Sequence, residues 1–86
     1  MAESTKDFRV ERVIRDDFGK AIWVRMQCFK TILISGLPIR RVYHDVIFMP
    51  DGNGWVYIQK RISDNYIPHN RYLKMTKIAA AIFNDK

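Results

Sequence analysis

The sequence holds one cysteine, two histidines, three prolines and four glycines among its 86 residues. A lone Cys28 forbids an internal disulfide and excludes a cysteine-based zinc site. Its apolar neighbourhood beside Phe29 reads as core, since free cysteines behave as small buried hydrophobes. His44 and His69 form no H-x-x-x-H pair, and there is neither a Ser–His–Asp pattern nor a glycine-rich phosphate loop. The adjacent His44 and Asp45 would point to opposite faces of a strand, so they cannot share a proton-transfer task. Asp51-Gly52-Asn53-Gly54 lacks the alternating carboxylates and terminal glutamate of a calcium loop. These gaps argue against an enzyme and imply no cofactor and no metal.

No apolar run approaches the ~18 residues of a membrane span, so no membrane association is expected. The opening MAESTKDFRVERV is too polar for a signal peptide, and the closing NDK reads as neither a lipidation nor a retention signal. A cytoplasmic location is the simplest expectation. Acidic residues are also scarce. Nine Asp and Glu face fifteen Lys and Arg, giving a net charge of +6 and a pI near 9.8. Such a balance concentrates polyanions at the surface without choosing among nucleic acid, anionic lipid and acidic protein.

Hydrophobic residues make up 48% of the chain and charged residues 28%, ordinary values for a globular domain. At this length folding buries roughly 64% of the unfolded surface, enough for one modest core. The expected organisation is a flexible leader over residues 1–6 and a single small basic α+β domain over residues 7–86. No internal repeat or linker divides the chain.

Phe8–Ile14 partly alternates, Asp16-Asp17-Phe18-Gly19 supplies turn chemistry, and Lys20–Gln27 is rich in β-branched and aromatic residues. A first hairpin accounts for this pattern. A helix from Asp17 to Ser35 competes with it, because Phe18, Ile22, Met26, Phe29 and Leu33 also fall at helical spacing. Gly19 and the β-branched residues favour strands, with Thr31–Ser35 as a short fifth strand. The second hairpin runs from Ile39–Met49 through the Pro50–Gly54 turn to Trp55–Ile62, with Val42, Val46, Phe48, Val56, Ile58 and Ile62 inward. Arg71–Phe83 then reads as a helix capped by Asp64 or Asn70, with Pro68 in its first turn. Its apolar stripe is Tyr72, Met75, Ile78, Ala79, Ile82 and Phe83, with Lys74 and Lys77 opposite. The fold class expected is α+β: a small antiparallel sheet of two hairpins and four to five strands packed on a C-terminal helix.

If the second hairpin pairs His44 with Lys60 and Tyr43 with Arg61, then Arg40, Arg41, Lys60 and Arg61 gather at its open end. An anionic partner would relieve their repulsion. Tyr43, Trp55 and Tyr57 would share the exposed face, where rings stack on bases at about 1–3 kcal/mol each. Arg71, Lys74 and Lys77 would extend the positive track. The leading expectation is thus a non-enzymatic nucleic-acid-binding module, for DNA or RNA. Against it stands the plain reading that the rings are cross-strand packing and the arginines solvated. Arg9, Arg12 and Arg15, interleaved with Glu11, Asp16 and Asp17, read as a self-neutralised surface. The alternative function is a small protein-interaction module that docks on an acidic protein or on a second copy. Its apolar contact would come from Ile32, Leu33 and Leu37.

Overall fold

A computed structural model describes residues 7–85. The leader expected over residues 1–6 lies outside the described residues. Four strands follow one another, β1 (Phe8–Arg15), β2 (Ala21–Ile34), β3 (Leu37–Pro50) and β4 (Val56–Arg61), and a helix, α1 (His69–Phe83), ends the chain. The strands form one antiparallel sheet in the order β1-β2-β3-β4, and α1 packs across β2, β3 and β4. The α+β class, the antiparallel sheet and the C-terminal helix are as the sequence implies.

Alternation dictates which face is covered. Val24, Met26 and Cys28 of β2 and Val46 and Phe48 of β3 are buried under Met75, Ala79 and Phe83 of α1. Phe8, Val10 and Val13 of β1 and Val56 and Ile58 of β4 widen this layer. The helical stripe expected from the sequence is the stripe that packs. Ile62, expected inward with Ile58, is exposed because the extra residue Gln59 inverts the alternation of β4 beyond Ile58.

Each turn has a local cause. The Asp16 carboxylate accepts the Phe18 and Lys20 amides, and the Asp51 carboxylate accepts those of Asn53 and Trp55. The helix starts two residues earlier than expected, after Pro68, with no side-chain cap. Asp64 precedes it and Asn70 lies within its first turn, so neither caps it.

The central hairpin departs most from expectation. Residues 17–35 do not form a helix, and Thr31–Ser35 is not a separate strand. β2 runs unbroken to Ile34 and turns back through Ser35 and Gly36, both at positive φ (52° and 80°). Two left-handed residues match the strand twist of a tight two-residue hairpin, which is why glycine occupies the second.

β1 pairs with β2 no further than Cys28, and β4 pairs with β3 no further than Val46. From Phe29↔Val42 to Ile34↔Leu37 the two central strands pair, among the described residues, only with each other. These six residues per strand make an arm about 20 Å long at the usual strand rise. It accounts for the molecule's elongation, 49 Å by 24 Å by 22 Å.

Candidate nucleic-acid interface

A bulge sets the arm's orientation. Cys28 pairs with His44 and Phe29 with Val42, leaving Tyr43 as the extra residue of β3. The Tyr43 carbonyl instead accepts hydrogen bonds from Ser63 Oγ (2.7 Å) and Asn65 Nδ2 (2.8 Å). The Asp45 carbonyl accepts the Ile62 and Ser63 amides, so the β4–α1 connection satisfies β3 where β4 has left it. Beyond the bulge the faces of β3 exchange. Val42, expected beside Val46, joins Phe29 on the helix-free face and is exposed.

The bulge also distributes the arm's charges. Residues 28–44 contain Lys30, Arg40 and Arg41 and no acid. Lys30 lies directly opposite Arg41 on the helix side, a like-charge pair that costs the ribbon stability. Arg40, opposite Thr31, takes the helix-free side. There its guanidinium stacks 4.4 Å from the centroid of the Phe29 ring, and Arg9 approaches the same ring at 5.3 Å. One aromatic ring thus holds two guanidinium groups at the arm's base. Lys30 Nζ sits 4.8 Å over the Tyr43 ring.

Below the arm, a polar network crosses the helix-free face. Arg9 Nη2 donates to Gln27 Oε1 at 2.6 Å, and Gln27 Nε2 donates to Asp45 Oδ2 at 3.0 Å. Arg25 grips the buried Asp45 with both Nε (2.9 Å) and Nη2 (2.6 Å), with Glu11 Oε2 4.0 Å from the same Nε. The Arg25 hydrogen bonds hold the Asp45 carboxyl below its ordinary value, against the upward push of burial and with help from Gln27. The same bond raises Arg25. Asp45 is therefore committed to its neighbours. On the other face, buried His44 has Arg71 Nη1 3.3 Å from its Nε2. Arg71 can donate there only when Nε2 is the acceptor, with the ring proton on Nδ1.

The expected cluster at the open end of the second hairpin is not assembled as the sequence suggested. Lys60 pairs with Ile47 and Arg61 with Val46, three positions from the register expected, because Gln59 bulges and the turn spans Asp51–Trp55. Arg40 and Arg41 instead face β2 on the arm. The three rings separate too. Tyr43 lies at the bulge, and Tyr57 pairs with Met49 on the helix-free face. Trp55, 73% exposed, lines an open groove of about 440 Å³ with Tyr72, Leu73 and Lys77 of α1. Lys74 and Lys77 stay neighbours on the side of α1 away from Met75, Ala79 and Phe83: Lys77 borders this groove, and half-buried Lys74 lies between it and Arg71. Ile32, Leu33 and Leu37 come together at the arm's tip, all exposed. Sequence reasoning missed Arg9 and Phe29, whose partnership depends on a strand pairing across twenty residues.

Among the described residues no group of three or more His, Cys, Asp or Glu side chains is placed to hold a metal ion. No helix among them is long and apolar enough to cross a membrane. No protein-family model, curated protein or solved structure matches the chain.

Proposed function

We propose that this protein is a non-enzymatic nucleic-acid-binding module that grips phosphates with its β2–β3 arm. The observation that carries this reading is the arm itself: a projecting ribbon bearing Lys30, Arg40 and Arg41 with no acid between residues 28 and 44. Placing Lys30 opposite Arg41, and Arg9 and Arg40 on one ring, concentrates positive charge on and beside the ribbon. A polyanion removes that repulsion on binding. Arg71 at the arm's base adds a fifth cation to the same end of the molecule. Trp55, Tyr57, Lys60, Arg61, Lys74 and Lys77 lie on different faces of the body and are secondary to the arm in this reading. A cytoplasmic location suits this role.

Neutralising about five phosphates gives a slope of log K against log salt near −4.5 on duplex DNA. From 50 to 200 mM salt, affinity then falls about 500-fold. In Arg40→Ala/Arg41→Ala two contacts are gone, and the slope relaxes to about −2.7 with a fall of about 40-fold. Anisotropy titration of a labelled duplex across that range measures both. An unchanged slope in the double variant removes the arm from the site. Binding to an acidic protein that depends on Leu33 and Leu37 more than on Arg40 and Arg41 would instead establish the protein-docking alternative.

A further inference from the structure

Resting on that reading, we infer that the arm's tip is an apolar wedge that enters double-stranded DNA from the minor groove and kinks it. Leu33 and Leu37 are 74% and 66% exposed, and Leu33 pairs across the ribbon with Pro38. Ile32 and Ile34 are better covered, each facing an aliphatic partner, Ile39 or Leu37. The isoleucines stiffen the tip, and Leu33, Leu37 and Pro38 present its apolar end.

One observation and three general features of nucleic acids select the ligand. Phe29 is the only aromatic residue among residues 29–42, and two guanidiniums flank it. The rings at the arm's base, Phe29 and Tyr43, already carry cations, and none lies further out towards the tip. The arm therefore offers unpaired bases little to stack on, and single strands are disfavoured. Leu, Ile and Pro are the side chains that wedge between base steps when a duplex is kinked from the minor groove. A two-stranded ribbon is too broad for an undistorted minor groove of about 6 Å, so insertion and bending go together. A-form RNA already has a wide, shallow minor groove and gives the wedge no comparable narrow step to open.

The arm's design also opposes a second copy as the occupant. Among the described residues no strand pairs with either outer edge, and Lys30, Arg40, Arg41 and the amide-less Pro38 guard both against strand addition. Two such arms would bring six cations together without an acid. Seated on DNA, the same cations straddle the kink and hold the phosphates on either side. Flexible pyrimidine–purine steps, which unstack readily, are the preferred sites.

The test uses the whole chain and a 30-base-pair duplex with a central TA step, labelled at both ends for energy transfer, at 50 mM salt. Wild-type protein is expected to shorten the end-to-end distance, by a kink in the 20–90° range of apolar wedges. Leu33→Ser/Leu37→Ser and, separately, Pro38→Ala keep every charge and touch no core residue. The double variant is expected to bind about tenfold more weakly with an unchanged salt slope and no bend, and Pro38→Ala to bend less. Wild-type binding without bending, or full bending by the double variant, overturns the wedge and leaves the nucleic-acid reading intact. Absence of wild-type binding to any DNA or RNA overturns the reading beneath it. Sedimentation showing a wild-type dimer that the double variant breaks would make the tip a self-interface and overturn the wedge.

Discussion

Replacing Thr31–Arg40 with Asn-Gly excises most of the arm while keeping a sound hairpin. Lys30 and Arg41 are cross-strand partners, as are Ile34 and Leu37 around the native Ser35-Gly36 turn. Asn-Gly takes the same pair of left-handed conformations. None of the buried core residues lies between positions 31 and 40, so the excision removes no buried core side chain. What it removes is a two-stranded ribbon, which in water is marginally stable at best. It also removes the Arg40 contact with Phe29, worth about 0.5–1 kcal/mol at an exposed site. The expected net change is within about 1 kcal/mol. In a domain of this size that moves the melting temperature by no more than about 8 °C. Thermal unfolding by far-ultraviolet circular dichroism, with a urea titration beside it, measures the change. A cooperative transition near the wild-type temperature, with duplex binding weakened more than tenfold, is the expected pair of results. A fall of more than about 15 °C would refute the reasoning, because the arm would then be buried against something in the native protein.

Two further predictions bear on the body. Phe48→Ala empties a site with no solvent exposure between the sheet and α1. It is expected to cost about 3–5 kcal/mol, a melting shift of roughly 12–40 °C, and a shift under about 5 °C would mean that the core repacks freely. Acid stability is the second. Asp45 has its carboxyl depressed in the folded protein, so its stabilising effect is present above the unfolded value, about 3.9, and is lost as pH falls through the lower folded value. Melting temperature is therefore expected to decline below about pH 4, and Asp45→Asn is expected to flatten that decline. An identical acid limb in the variant, or a carbon-13 titration midpoint for Asp45 above 3.8, would contradict it.

Legibility in the sequence followed how many physical signals agreed at each element. The β3–β4 connection joins a glycine-rich turn to alternating strands, and α1 carries its whole apolar stripe at helical spacing. Both were readable from residues alone. The arm was not, because aliphatic residues occupy both of its faces from Ile32 to Ile39, and alternation vanishes where neither face is buried. The bulges at Tyr43 and opposite the Ile47–Phe48 step add residues that composition does not reveal, and they moved Val42, Lys60 and Arg61 from their expected places. The Arg9–Phe29–Arg40 cluster depends on pairings across both β1–β2 and β2–β3, so its members show no local pattern.

The ion pair at the centre of the helix-free face has an architectural outcome. A second sheet or helix could stack there only by stripping water from the Arg25 guanidinium, whose side chain is 31% exposed, while it stays bound to Asp45. Such dehydration opposes sandwich formation, because removing charges from water costs more than a surface contact returns. A further layer on this face is thereby disfavoured relative to contacts at the rims of the sheet. Lengthening or shortening the central hairpin becomes the easiest way for such a chain to vary its reach without disturbing its interior.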